Sequence, residues 1–215
     1  METERYKEEQ NRIAQCAFNL FKKKGFDKTS IKDIADAAGI IKPLVQYYFP
    51  KKELFIRMFI TRSLDIVIKS IENDNIASST SFNTMYLMGY FETWYLTKHD
   101  SMKMLRNDIM SDRSYSLCII ETIEDFIFKT IAPDEKDRNN LQDAITLTAG
   151  AEFEYIHRRF VQGEEFNTGH LVDTMIKLMN GYLGFKLPEI NVEDILSEKW
   201  LSDKAYEVDR IMFGE

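Results

Sequence analysis

Lys42, Leu44, Gln46 and Tyr47 fall on one side of a short helical stretch, while Val45 and Phe49, at i and i+4, fall on the other. The second pair is an ordinary inward stripe. The first set is unusual for a solvated face, because Leu44 and Tyr47 gain little from facing water. Laid in the major groove of a duplex they make sense: apolar side chains contact thymine methyls and glutamine bonds the adenine edge in bidentate fashion. A second short helix precedes this one. Ser30 and Asp33 have the spacing of a capping box, Ile31, Ile34, Ala35 and Ala38 mark its buried face, and Gly39 stops it. Two short helices joined at Gly39, with small residues where they must pack closely, have the geometry of a helix-turn-helix.

Other residue sets suggest less chemistry. Glu154-x-x-His157 has the spacing of a di-iron bundle's metal helix, but that site needs two such pairs and two more carboxylates. With only His99, His157 and His170 in the chain, no second pair exists, and the reading as a helical-bundle enzyme fails. Serine-nucleophile elbows, phosphate loops and dinucleotide glycine motifs are absent, so no cofactor is implied. Cys16 and Cys118 lie far apart within apolar helical patterns and read as reduced, buried thiols. Met85, Met88, Phe91, Trp94, Tyr95, Met104 and Phe126 form a methionine- and aromatic-rich set. It fits the wall of an apolar pocket, with Glu92 or Glu121 as a polar anchor, and it fits ordinary core equally well.

The elements that position these residues are helical throughout. Four prolines and nine glycines are few for 215 residues, and hairpin signals are missing. Ile13, Ala17, Leu20 and Phe21 give the first helix, about 5–24, its buried face; Lys22, Lys23 and Lys24 suit its C-terminal dipole, and Gly25 its left-handed cap. Phe26 then folds back as the apolar residue after the cap. The next helices begin after Thr29 and at Lys42, where Pro43 is tolerated in the first turn and Pro50 ends the element. A long helix follows from Lys51, carrying Leu54, Phe55, Met58, Phe59, Leu64, Val67, Ile68 and Ile71. A polar loop spans Asn73 to Ser81. Further helices are expected at about 82–98, 101–111, 113–131, 135–162, 167–185 and 191–212, with Pro133 and Pro188 near boundaries.

Charge is divided unevenly. The net charge is −7, yet residues 1–60 hold 12 Lys and Arg against 8 Asp and Glu, and residues 61–215 hold 16 against 27. A basic head on an acidic body meets phosphate at one end and stays soluble at the other. The charged N-terminus has no apolar signal core and no apolar run reaches a membrane span, so a cytoplasmic protein without a membrane partner is expected.

From Ile13 to Phe55 the chain closely resembles the TetR family of transcriptional regulators. The resemblance is carried by Phe21-Lys22-Lys23-Lys24-Gly25-Phe26, Thr29-Ser30-Ile31-Lys32-Asp33-Ile34-Ala35, Ala38-Gly39-Ile40, Lys42-Pro43-Leu44-Val45-Gln46-Tyr47-Tyr48-Phe49 and Lys52-Glu53. It implies an all-α fold: a three-helix helix-turn-helix domain, residues 1–52, joined by a long helix to a helical ligand-binding and dimerisation domain, residues 53–215. It also implies that Thr29 and Ser30 meet a phosphate, that Lys42, Pro43, Leu44, Gln46 and Tyr47 face the groove floor, that Tyr48 offers its hydroxyl to a phosphate, and that Lys52 clamps another. Three positions depart from the pattern. Ile41 stands where a serine cap is usual, Gln46 where tyrosine is common, and Lys51 where serine or asparagine caps the fourth helix.

For the body the resemblance implies a small-molecule effector pocket after the fourth helix and a homodimer through the last long helices. Helix 135–162 carries Leu141, Ile145, Thr148, Ala149, Glu152 and Ile156, with Ala149-Gly150-Ala151 permitting close approach; helix 167–185 carries Leu171, Met175, Leu178 and Tyr182, and a second line at Val172, Ile176 and Met179. Two such broad apolar faces suit a dimer interface, and they also suit internal core. The expectation is a ligand-responsive repressor on a pseudo-palindromic operator, half-sites about one helical turn apart or somewhat more. The rival is a TetR-fold adaptor that binds protein instead of DNA. The basic set Lys42, Lys51 and Lys52 weighs against it.

Overall fold

The computed structural model describes residues 2–74, 76, 81–131, 135–184 and 195–214. Among them there is no strand, as the all-α expectation requires. The helices are α1 (Glu2–Lys24), α2 (Ile31–Ala38), α3 (Lys42–Tyr48), α4 (Glu53–Asn73), α5 (Ser81–Lys98), α6 (Lys103–Ser111), α7 (Arg113–Ile131), α8 (Glu135–Gln162), α9 (Thr168–Leu183) and α10 (Glu198–Phe213). The helix expected from 101 opens instead with a 3-10 turn at Asp100–Met102. Pro133, Pro188, most of the polar loop after Asn73, the first residues of the expected 191–212 helix and the Met85 side chain lie outside the described residues. No described helix is long and apolar enough to cross a membrane.

The head is built from its caps. Gly25 has φ +89° and donates its N–H to the Phe21 carbonyl at 2.9 Å, ending α1 in the left-handed conformation that favours glycine. Phe26 packs back on Phe21, ring centroids 4.8 Å apart. The α2 capping box closes from both sides: Ser30 N–H donates to Asp33 Oδ2 at 2.7 Å and Asp33 N–H to Ser30 Oγ at 3.1 Å. Lys24 donates to the same carboxylate at 2.9 Å, and it, followed by Ser30, holds the Asp33 carboxyl well below the usual range. Gly39 ends α2 at φ 65°. Ile41 precedes α3 with no side-chain cap and lies exposed.

One continuous core runs from head to body. Ile13, Ala17, Phe18, Phe21, Phe26, Ile34, Val45 and Phe49 join Phe55, Phe59, Leu64, Phe91, Tyr95, Val208 and Met212. Phe49 stacks on Phe55 with centroids 3.9 Å apart, tying α3 to α4; a buried phenylalanine of this kind contributes about 1.5–3 kcal/mol. A smaller cluster, Ile120, Ile127, Phe128 and Ile145, fills the space between α7 and α8.

Two polar contacts fasten the head. Asn19 of α1 donates to the Phe213 carbonyl at the end of α10, 2.8 Å. Asp108 of α6 accepts the N–H of Phe26 and, at 3.2 Å, that of Asp27. The turn after α1 is therefore held by a carboxylate from the body.

Candidate functional site

The outward face of α3 is open. Lys42, Pro43, Gln46 and Tyr47 are exposed and Leu44 is half-buried, whereas Val45 and Phe49 are sealed in the core. Tyr47 keeps 66% of its surface, the feature that distinguishes this face from a packed one. It is not loose, because its ring meets Tyr48 edge-on at 5.2 Å and Tyr6 of α1 at 6.0 Å. Tyr48 is half-buried against Tyr6, centroids 4.7 Å apart. Tyr6 went unnoticed in the sequence: it lies 41 residues before Tyr47 and no local pattern joins the two. Lys28, Lys32, Lys42 and Lys51 are exposed around this end of the molecule, so the face is apolar at its centre and cationic at its edge.

Two of the residues expected to meet phosphate are engaged internally. Thr29 is fully buried; its hydroxyl donates to the Gly25 carbonyl at 2.7 Å and its N–H to the Phe26 carbonyl at 3.0 Å. Both donors are used, so Thr29 shapes the turn and Ser30 is the hydroxyl left at the surface. Lys52 donates to the Phe26 carbonyl, and its ammonium sits 4.0 Å from the centroid of that ring. Burial pulls its pKa below the ordinary lysine value. In this conformation Lys52 braces the turn preceding α2.

The body encloses a cavity of about 720 Å³. Its walls come from α4 (Phe59, Ile60, Leu64), α5 (Tyr86, Met88, Glu92, Thr93, Tyr95), α7 (Ile119, Ile123, Ile127), α8 (Leu141, Ile145, Glu152, Phe153) and α9 (Val172, Met175, Ile176, Met179). Of the expected pocket set, Met88, Glu92 and Tyr95 line it. Phe91, Trp94, Met104, Glu121 and Phe126 do not. Phe91 is core, stacked on Tyr95 at 5.6 Å; Trp94 and Phe126 pack against the core; Met104 is half-buried on α6; Glu121 points to solvent. Periodicity marks an apolar face without distinguishing a void from a packed neighbour.

The same ambiguity misled the reading of α8 and α9. Leu141, Ile145, Thr148, Ala149, Glu152 and Ile156, and likewise Val172, Met175, Ile176 and Met179, turn inward to the cavity instead of outward to a partner. Of the expected lines only Leu178 and Tyr182 remain at the outer surface, joined there by Leu147. Leu147 is 59% exposed, Leu178 53% and Tyr182 50%. Tyr182 donates to Asp143 Oδ2 at 3.3 Å, one turn before Leu147, so the three lie side by side on the α8–α9 surface. Exposed Gly150 and Ala151 continue it.

Glu92 and Glu152 are the carboxylates that the described residues place in the cavity interior. Ser63 of α4 donates to Glu92 Oε1 at 2.7 Å, and Thr93 to Glu152 Oε1 at 2.6 Å. Burial raises both carboxyls, Glu92 to about 7. Tyr95, on the same wall, donates its hydroxyl to Asp209 of α10, which also accepts from Ser101 at 2.9 Å. The cavity wall is thus bonded to the helix that carries the Phe213 carbonyl to α1. Among the described residues no group of three His, Cys, Asp or Glu side chains could hold a metal ion.

Fold and face together define an all-helical protein with a helix-turn-helix head on a cavity-bearing body. Residues 13–57 match the bacterial regulatory proteins of the tetR family. The structure resembles the crystal structure of RolR without ligand at 13% identity, with a TM-score of 0.52, over 83% of this chain and 98% of that one. It also aligns, with a TM-score of 0.34 and 19% identity, to a Clostridium perfringens protein provisionally described as a fatty acid metabolism regulator, over 83% of this chain and 100% of that one. No curated protein matches the chain in sequence. The match over residues 13–57 supports a DNA-binding regulator, and the likeness to RolR supports the fold alone.

Proposed function

We propose that this regulator binds operator DNA sequence-specifically as a homodimer and releases it when a small molecule occupies the body cavity. The exposed, braced Tyr47 on α3 carries the reading, since a half-apolar outward face beside four exposed lysines suits a major groove. Residues 1–52 act as the DNA-binding head and residues 53–215 as the sensing and dimerising body. Lys42, Pro43, Leu44, Gln46 and Tyr47 face the bases, and Ser30 and Tyr48 the backbone. Lys52 reaches phosphate only by leaving Phe26.

A titration of genomic fragments against salt tests this, because phosphate neutralisation gives a steep log–log slope and a protein-binding adaptor gives none. Tyr47→Ala should lose about 1–3 kcal/mol on the operator and little on random DNA, whereas Lys42→Ala should lower the salt slope as well. Equal loss on both DNAs for Tyr47→Ala would remove Tyr47 from the groove.

The dimer rests on the α8–α9 outer surface. Leu147→Glu with Leu178→Glu puts like charges on an isologous patch and should give a monomer by sedimentation, with operator affinity falling by about tenfold or more. A dimer of unchanged mass would place the interface elsewhere.

Ligand response has two routes out of the cavity. Tyr95 and Asp209 lead through α10 to Asn19 of α1, and Met102, a wall residue, precedes the helix whose Asp108 holds the Phe26–Asp27 turn. A ligand that shifts either helix alters the head's position, a coupling of about 1–3 kcal/mol.

A further inference from the structure

We propose that the cavity takes a lipophilic cation: an amine or quaternary ammonium set in a flat aromatic frame of two or three rings. This rests on the cavity being the effector site and adds the charge of the occupant.

Among the described residues the charged side chains on the wall are Glu92, Glu152 and Asp137, all carboxylates, with no lysine, arginine or histidine. Asp137 is exposed, whereas Glu92 and Glu152 are interior and the surface of each opens on the cavity. Neither has a basic partner among the described residues. Each accepts one hydroxyl hydrogen bond, from Ser63 and from Thr93, which leaves most of a carboxylate's acceptor capacity unused. An ionised carboxylate in an apolar interior costs several kcal/mol when unpaired, and the cost is recovered when a positive centre comes beside it. Two such groups, reaching in from α5 and α8 with Thr93 beside one and bonded to the other, form an anionic spot in an otherwise apolar space.

The rest of the wall suits the same class. Phe59, Tyr86, Tyr95 and Phe153 supply aromatic rings, whose negative faces attract cations. An anionic ligand would meet like charge. A neutral apolar ligand would leave both carboxylates with no partner beyond the Ser63 and Thr93 hydroxyls. A neutral hydroxyl donor could serve one carboxylate but not offset its charge.

Four probes on one tricyclic frame separate these cases, using the intact dimer without DNA: 10-methylacridinium, 9-methylanthracene, 9-anthracenemethanol and anthracene-9-carboxylate, followed by probe fluorescence. The cation is expected to bind at least about tenfold tighter than any of the others, through its Coulomb attraction to the carboxylates and the ring faces. Glu92→Gln should weaken the cation about tenfold and leave 9-methylanthracene within about twofold, a contrast a merely structural role would not give. Glu152→Gln is the second variant should the first fail to fold. Preference for the alcohol, the hydrocarbon or the carboxylate would overturn the cation while keeping the cavity as a ligand site. Absence of binding by all four would overturn both.

Discussion

Gly25→Ala is expected to lower the unfolding free energy by about 3 kcal/mol, part from the backbone and part from one carboxylate in another part of the chain. The backbone at Gly25 has φ +89°, where a Cβ costs roughly 1–2 kcal/mol. A Cβ there would also stand 2.7 Å from Asp108 Oδ2, inside van der Waals contact. That oxygen accepts the N–H groups of Phe26 and Asp27, so moving it weakens hydrogen bonds to a charged group, each contributing about 1.5–3 kcal/mol when intact. The turn cannot easily yield, because the Thr29 hydroxyl holds the Gly25 carbonyl and Lys52 holds that of Phe26. Partial exposure of Asp108 lets water recover some of the loss, and the two bonds are weakened without being broken, which keeps the total below the full sum. Urea unfolding with an unchanged m-value measures it. In an Asp108→Ala background the glycine substitution should cost only the backbone part. An equal cost in both backgrounds would show that the two residues do not interact.

That contact also marks the limit of what could be read in the sequence. Local devices were legible because their partners lie within a few residues: the Ser30–Asp33 box, the Gly25 cap with Phe26 on Phe21, the missing cap at Ile41, and the opposed faces of α3. Asp108 was invisible in this role because it acts 82 residues from Phe26. Thr29 was misread for a related reason. A threonine before a helix normally offers its hydroxyl outward, and here the backward turn of the chain at Gly25 brings a carbonyl within its reach. In the body, periodicity located apolar faces on α5, α8 and α9 but gave no information on what each one meets. Glu152 stands in an apolar line that suits dimer surface and core alike, yet it lines the cavity, while Phe91 and Trp94, better pocket formers by type, pack in the core. A cavity is a property of several helices at once, and no single helix records it.

The empty protein should lose stability as pH rises from about 5 to about 8, by on the order of 3 kcal/mol from Glu92 alone. An unfolded glutamate titrates near its ordinary value of 4.5, while burial moves the folded Glu92 carboxyl to about 7. Between those values the folded state keeps a proton that the unfolded state has released. Stability is therefore fully present below the unfolded value, falls by up to about 1.4 kcal/mol per pH unit through the interval, and levels off above the folded value. Glu152, raised by burial as well, acts in the same direction. The carboxyls held low, Asp33, Asp74, Asp112 and Glu9, are ionised in both states over this range and do not alter the slope. Glu92→Gln keeps the shape and removes the titration, so urea unfolding of the variant should show a clearly flatter dependence; parallel curves for the two proteins would mean that Glu92 does not titrate as a buried acid. The same sign reverses for a bound cation. Glu92 and Glu152 are the buried carboxyls on the cavity wall, and both are raised by burial, so raising the pH through this range adds negative charge there. A permanent cation such as 10-methylacridinium should then stabilise the protein more at pH 8 than at pH 6, in the range where the empty protein is weakest.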